Sequence, residues 1–202
     1  MHLYDKPECP FCWKVKLALA EMNLEWSETV FSTPDRPADF LAINPAGTVP
    51  VLTDGSTIVT DSAVALEYLQ DQATDQTLLP VSAPARARAR TLHLYSTATI
   101  GPKLREVIFE KRSKPEVEWD WDRINAATAG WHDCLQYLEP CLGSNDFFAE
   151  QFSFAECALI PRFGLAELYG VGVTAEYPNL FSWFGRMKAR ASYLRTAPAG
   201  LQ

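Results

Sequence analysis

The chain has 202 residues, of which 48% are hydrophobic and 12% aromatic, enough to build one large or two small globular cores. The 25 acidic and 18 basic residues give a net charge of −7, which argues against a general nucleic-acid-binding protein. No apolar run approaches the roughly 20 residues that cross a bilayer, and the N-terminus resembles a strand rather than a signal peptide. Five cysteines without a disulfide-like spacing are typical of a reducing compartment. We therefore expect a cytoplasmic protein that binds neither membrane nor nucleic acid.

Up to about residue 80, short strands alternate with helices. The pattern predicts strands at 2–5, 25–30, 51–53 and 57–59, and helices at 11–22, at 37–43 and from Asp61 or Ser62 onward. The pair Asp54-Gly55 is a strong signal for a tight hairpin between the last two strands. The order βαβ followed by ββα predicts a thioredoxin-like α/β domain over residues 1–80.

The second part of the chain, residues 84–202, is predicted to be an all-helical domain. Helices are expected at about 84–111, 122–142, 153–169 and 177–191. Ser153 and Glu156 have the spacing of a capping box, in which each side chain hydrogen-bonds the backbone N–H of the other residue. Pro161 lacks an N–H and predicts a kink in that helix.

The run Cys9-Pro10-Phe11-Cys12 stands where the first helix is predicted to begin. Unpaired backbone N–H groups and the helix dipole at such a position stabilise a thiolate, so Cys9 is the candidate nucleophile. Cys12 lies one turn further along and is expected to be more buried and to act as a resolving thiol. Pro10 suits the first helical position, where its missing N–H costs nothing.

Two other interpretations of the cysteine pair remain open. The pair could form half of a zinc site, although the sequence has no second Cys-x-x-Cys and its histidines do not stand at ligand spacing around the other cysteines. It could also form a structural disulfide, although so short a loop would stabilise the fold little. We expect no metal.

The segment Gly47 to Leu52 is the second candidate feature. Val49-Pro50 directly precedes an apolar strand, and a cis peptide bond there would form a tight turn beside the first helix. Val49 would then expose its backbone N–H and C=O, which could pair with a short peptide as an added strand does. The alternative is an ordinary proline between a loop and a strand.

Asp61-Ser62 opens the helix that follows the hairpin. A serine hydroxyl and free N–H groups at a helix start can bind a carboxylate, and Asp61 can accept from an ammonium group. Together they suit the head group of an amino acid. The alternative is that both residues only cap the helix.

Residues 86–114 carry eight lysines or arginines and only two acidic residues, Glu106 and Glu110. This segment is interpreted either as a solvated helix face or as a surface that attracts anionic ligands or partners.

In combination, Cys9-Pro10-Phe11-Cys12, Val49-Pro50, Asp61-Ser62 and the helical second half with its capping box resemble the cytosolic glutathione transferase superfamily. The resemblance is to its cysteine-type members, the omega class and the two-domain glutaredoxins. It implies that Cys9 bonds or activates the glutathione sulfur and that Val49 pairs with the cysteinyl backbone. It also implies that Asp61 and Ser62 hold the γ-glutamyl group and that Arg36 faces the glycyl carboxylate.

The resemblance implies a homodimeric, glutathione-dependent thiol transferase or reductase with glutathione as co-substrate. The second domain would form the wall of the co-substrate pocket, with Tyr95, Phe109 and Trp131 as candidate lining residues, although each also suits a core. One alternative is a transferase that conjugates or dehalogenates electrophiles. Another, from a different class, is a non-catalytic interaction protein of the stringent-starvation-protein type.

Overall fold

A computed structural model describes residues 1–74 and 76–201, and the chain divides into two compact units. The first unit contains Met1–Leu78 together with Ala191–Gly200, and the second contains Leu79–Arg190. The strands are β1 His2–Asp5, β2 Ser27–Val30, β3 Val51–Asp54 and β4 Thr57–Val59. The helices are α1 Pro10–Glu21, α2 Ala38–Ile43, α3 Ser62–Asp71, α4 Ala83–Tyr95, α5 Gly101–Ser113, α6 Trp121–Leu142, α7 Phe154–Leu168, α8 Pro178–Lys188 and α9 Ala191–Thr196.

The first unit is built on a four-stranded sheet with the order β2-β1-β3-β4. β1 and β2 are parallel, with His2 opposite Ser27, because α1 forms the crossover between them. β3 runs antiparallel to both β1 and β4, and Gly55 supplies the positive φ of 58° that the Asp54-Gly55 turn requires. This topology and the helical second unit confirm the predicted fold class.

Ala191–Gly200 belongs to the first unit, whereas the sequence predicts a single helical domain over residues 84–202. The last helix, α9, is separate from α8 and packs on α1. The buried Trp13 indole donates to Thr196 Oγ1 at 3.0 Å, and its ring meets that of Tyr193 edge to face. The helix predicted at 177–191 corresponds to α8, whereas α9 was not predicted, because its long-range contacts carry no local sequence signal.

The second unit is helical, as predicted, but the helix expected at 84–111 is interrupted. A π-helical turn, Ser96–Ile100, separates α4 from α5, directly before Gly101-Pro102. The buried Ser96 hydroxyl donates to the carbonyl of Ala158 on α7 at 2.7 Å. Gly101 lies against the buried Arg162 guanidinium, and a Cβ at this position, 2.9 Å from it, would make that side chain shift. Within the described residues, no helix of either unit has the length and apolar character needed to traverse a membrane.

The capping box at the start of α7 confirms that prediction. Ser153 Oγ accepts from the α7 backbone, and the fully buried Glu156 carboxylate accepts from the N–H groups of Ser153 and Phe148, at 2.9 and 2.8 Å. α7 continues past Pro161 to Leu168, and the kink stays a prediction. Burial raises the pKa of Glu156 to about 7, although these hydrogen bonds oppose the shift.

Protonation of Glu156 should make the free energy of unfolding fall as the pH rises from about 4.5 to about 7. Folded Glu156 keeps its proton over that range, whereas the unfolded carboxyl group loses it, so the unfolded state gains stability by at most about 3 kcal/mol. Denaturant unfolding at several pH values, compared between the wild type and Glu156→Gln, measures this difference. A pH dependence identical in the two proteins would contradict it.

Candidate functional site

Three segments that the sequence singled out meet at one edge of the sheet. β1 ends there and leads to Cys9, and β3, antiparallel to β1, begins there immediately after Val49-Pro50. β4 runs antiparallel to β3, so it ends at the same edge and leads to Asp61-Ser62 at the start of α3. The register, with Tyr4 opposite Val51, therefore brings the cysteine pair, the proline turn and the α3 terminus together.

Cys9 is the N-cap residue of α1, and Pro10 occupies the first helical position, as predicted. Cys9 is 9% exposed and Cys12 is 0% exposed, so Cys12 is the more buried thiol, as expected. Although Cys9 lies at the start of α1, its side chain is largely buried. All five cysteines lie within the described residues, and all are free thiols.

The pKa values of the two thiols are shifted in opposite directions, because the thiols hydrogen-bond each other. The Cys12 thiol donates to the Cys9 sulfur, and this bond, aided by the backbone N–H groups of Cys12 and Phe11, lowers the pKa of Cys9 to about 7 despite the opposing effect of burial. Burial and the bond to Cys9 strongly raise the pKa of Cys12. Cys9 therefore forms a thiolate far more readily than Cys12 does.

Asp5 is a site residue that the sequence analysis missed. It ends β1, is 3% exposed, and forms an ion pair with Lys16 of α1 at 2.7 Å. Its negative charge opposes ionisation of both thiols and so acts to raise the pKa of each. Alternation along a strand predicts that Asp5 points to the same face as the buried Leu3, which was the available signal.

The turn before β3 is held by two side chains. Asn44, buried and not predicted, donates from its amide nitrogen to the Thr48 carbonyl at 2.8 Å, and Arg36 Nε donates to the Gly47 carbonyl at 3.1 Å. The Val49-Pro50 peptide bond is cis, as predicted. Within residues 1–74 and 76–201, Val49 uses neither its backbone N–H nor its C=O in a hydrogen bond.

Arg36 is engaged with the protein backbone. Its Nη1 donates to the carbonyls of Thr33 and Asp35, at 2.7 and 3.1 Å, and its guanidinium lies 4.6 Å from the centre of the Phe31 ring. These contacts, with the bond to Gly47, make Arg36 a support of the turn.

Asp61 is the N-cap of α3. Its Oδ1 accepts from the N–H groups of Ala63 and Val64, at 2.7 and 3.1 Å. This oxygen therefore caps the helix and is not available to a ligand. Ser62 is 7% exposed, and in the part of the chain that the structure describes its hydroxyl makes no hydrogen bond to another residue. Asp61 is exposed, so its other carboxylate oxygen is accessible to a ligand.

The three candidate wall residues of the second unit differ in environment. Trp131 is fully buried, donates to the Val171 carbonyl and packs on Phe163, as a core residue does. Tyr95 is half-buried, and its ring packs against that of a tyrosine of α6 with an angle of 44° between the ring planes. Phe109 is 43% exposed, with guanidinium groups of α5 near its ring.

Most basic side chains between residues 86 and 114 are engaged within the second unit. Lys114 pairs with the buried Glu110 at 2.5 Å, Lys111 donates to a carbonyl beyond α7 at 2.7 Å, and Arg88 donates to the Cys141 carbonyl. Among the described residues, no group of three or more His, Cys, Asp or Glu side chains could hold a metal ion.

The comparisons with known proteins agree with this architecture. Residues 8–72 match the family model described as glutathione S-transferase, N-terminal domain. The solved structure of a glutathione S-transferase from Rhodospirillum rubrum F11 is similar, with a TM-score of 0.86 and 28% identity over 95% of this chain and 89% of that one. The fold is that of the glutathione transferases.

Two curated relatives extend across nearly the whole chain. Glutathione S-transferase A of Pleuronectes platessa is 28% identical over 94% of this chain and 87% of its own length. A stringent starvation protein A homolog of Histophilus somni is 25% identical over 92% of this chain and 84% of its own length. Together with the family match over residues 8–72, these similarities agree with the glutathione transferase fold of the chain.

Proposed function

We propose that this protein is a glutathione-dependent thiol transferase or reductase in which Cys9 is the nucleophile. The observation that carries the proposal is the cysteine at the α1 N-cap, whose pKa is lowered to about 7 by the Cys12 thiol. A hydroxyl at this position would only stabilise the glutathione thiolate, whereas a cysteine thiolate itself attacks disulfides.

In this mechanism the Cys9 thiolate attacks the glutathione sulfur of a glutathionylated substrate. The substrate thiolate leaves, and a mixed disulfide between Cys9 and glutathione forms. A second glutathione thiolate then attacks the glutathione sulfur of that disulfide, which releases glutathione disulfide and regenerates Cys9. Alternatively, Cys12 attacks Cys9 and expels glutathione, and two further glutathione molecules reduce the resulting Cys9–Cys12 disulfide.

Replacing Cys9 by serine should abolish glutathione-dependent reduction of a glutathionylated peptide, because a neutral hydroxyl does not attack a disulfide. Cys12→Ser should retain a measurable fraction, since Cys9 and glutathione suffice for one route. A steady-state assay of both variants measures this. Equal loss in both would make the two-thiol route obligatory, and activity retained in Cys9→Ser would contradict the proposal.

We propose that glutathione lies along the sheet edge that carries these segments. The free N–H and C=O of Val49, next to Pro50, suit the cysteinyl backbone of glutathione, while the Ser62 hydroxyl and the second Asp61 oxygen suit its γ-glutamyl group. Pro10 and Phe11 would contact the ligand at the helix start. Arg36 supports the Val49 turn, and with glutathione bound it would also face the glycyl carboxylate.

The variants Asp61→Asn and Ser62→Ala should each weaken glutathione binding by about 1 to 3 kcal/mol, the cost of losing a hydrogen bond to a charged group. Asparagine caps a helix as well as aspartate does, so Asp61→Asn separates the charge from the cap, and Asp61→Ala, which loses both, is the matched comparison. Isothermal calorimetry gives the affinities. If Asp61→Asn and Ser62→Ala bind glutathione as the wild type does, both residues only cap α3.

Two other functions remain candidates on this fold. A conjugating or dehalogenating transferase would convert a model electrophile into a thioether, so its product distinguishes it from a thiol transferase. The similarity to stringent starvation protein A homologs favours a non-catalytic interaction protein as the second candidate. Absence of both reduction and conjugation, with an intact fold, would support that candidate.

We further propose that the chain forms a homodimer in the cytoplasm. The resemblance to glutathione transferases supports the dimer, and the five free thiols suit a reducing compartment.

A further inference from the structure

We propose that residues 116–122 form a docking surface for a partner protein whose binding segment carries both cationic and apolar side chains. These residues, the acidic segment, connect α5 to the first turn of α6 in the second unit. The proposal does not depend on thiol transfer, so it holds or fails independently of the proposed function.

Acidic and apolar residues alternate strictly along the acidic segment, whose sequence is Glu-Val-Glu-Trp-Asp-Trp-Asp. Its four carboxylates, with no basic residue among them, contribute −4 to the net charge of −7. Such alternation is typical of a half-buried strand, yet the chain here forms a 3-10 turn, Glu116–Glu118, and then the N-terminus of α6. The secondary structure therefore does not account for the alternation.

The acidic segment is anchored to the end of α5 through Trp119 and Asp120. The Trp119 indole donates to the Lys114 carbonyl at 3.0 Å, and Lys111 Nζ lies 5.1 Å from the centre of the Trp119 ring. The Asp120 N–H donates to the buried Glu110 carboxylate at 3.0 Å. Because these contacts already order the segment, a partner that binds it loses little affinity to conformational entropy.

Two apolar side chains of the acidic segment are accessible to a partner. Val117 is 91% exposed and Trp121 is 50% exposed. The Trp121 ring meets the anchored Trp119 ring edge to face, with 5.4 Å between their centres. Exposed apolar groups rimmed by polar ones are typical of protein–protein contacts, and tryptophan is enriched among the residues that dominate binding energy.

Most carboxylates of the acidic segment are also available to a partner. Among the residues that the structure describes, the side chains of Glu116, Glu118 and Asp122 make no hydrogen bond or ion pair. The fourth carboxylate, that of Asp120, caps α6 by accepting from the Arg123 N–H at 3.0 Å, and Asp122 suits the dipole of that helix. Neither reason applies to Glu116 and Glu118, which lie outside the α-helices.

The cations nearest to the acidic segment in the sequence are engaged with another carboxylate. Lys114 pairs with the buried Glu110 at 2.5 Å, and Arg123 pairs with Glu110 at 3.3 Å. Lysine or arginine side chains of a partner would therefore complement the charge of the segment, and apolar side chains beside them would cover its exposed apolar groups.

The test uses a short fluorescently labelled peptide in which lysine alternates with leucine, and the anisotropy of the label measures its binding to the full-length protein. The wild type should bind the peptide saturably. Val117→Ser and the double variant Glu116→Gln/Glu118→Gln should each weaken binding by about tenfold, because the first removes an apolar contact and the second removes two charges. Since all three side chains are exposed, the fold should tolerate these changes.

Two variants outside the acidic segment are matched controls. Val81→Ser replaces a valine that is 98% exposed, and Asp146→Asn/Glu176→Gln removes two exposed carboxylates elsewhere in the second unit. Both should bind the peptide as the wild type does. A control that weakens binding as much as its counterpart in the acidic segment would overturn the proposal, because the peptide would then respond to the whole surface.

Two further peptides separate the two kinds of contact. Replacing every lysine by glutamate should abolish binding, and replacing every leucine by serine should weaken it by about tenfold. No saturable binding of the original peptide, or equal binding of the serine peptide, would contradict the proposal.

A second copy of the chain is the other occupant that the variants detect. Sedimentation of the wild type and of Val117→Ser should give the same oligomeric state. If Val117→Ser converts a dimer into a monomer, the acidic segment is covered by a second copy of this chain and the proposal is wrong.

Discussion

The hydrogen bond from the Cys12 thiol to the Cys9 sulfur is the interaction on which the site depends. It makes two chemically identical side chains unequal, since it lowers the pKa of Cys9 and helps to raise that of Cys12. The bond needs Cys9 at the N-cap and Cys12 one turn later in a buried position, with Pro10 at the intervening helix start. A shift of α1 by one residue would remove it.

Contacts with β1 and with α9 hold α1 in that position. Asp5 anchors the helix to the end of β1 through Lys16, and β3 brings the Val49-Pro50 turn to the same edge. From the chain end, Thr196 accepts from the Trp13 indole, directly after Cys12. The N-terminal segment and α9 therefore pack together. The position of the thiol pair depends on a contact between Trp13 and Thr196, which are 183 positions apart in the sequence.

Structural features that depend on neighbouring residues could be predicted from the sequence, whereas features that depend on contacts between distant residues could not. The Asp54-Gly55 hairpin and the Ser153 capping box each depend on residues within a few positions, and both were predicted. The π-helical turn was not predicted, and its buried Ser96 hydroxyl donates to the carbonyl of Ala158, a partner 62 positions away that sequence spacing does not reveal. α9 was missed for the same reason.

In the candidate site, the motif residues were predicted from the sequence, but the polar residues that hold them in place were not. Asp5 and Asn44 are ordinary polar residues in the linear sequence, and only the sheet register and the turn before β3 give them partners. For Arg36, a ligand contact was expected, and its neighbours in the fold turned out to be backbone carbonyls. Whether a polar side chain supports a site or binds a ligand depends on contacts that sequence spacing does not encode.

The pH titration of the Cys9 thiolate tests the central claim most directly. Thiolate absorbance, taken as the difference between each protein and its Cys9→Ser counterpart, should give a midpoint near pH 7 in the wild type. Cys12→Ala removes the donor and should move the midpoint toward the ordinary value of 9.0, while Cys12→Ser keeps a hydroxyl donor and should stay nearer the wild type. A wild-type midpoint near 9.0, or one that Cys12→Ala leaves unchanged, would contradict the account.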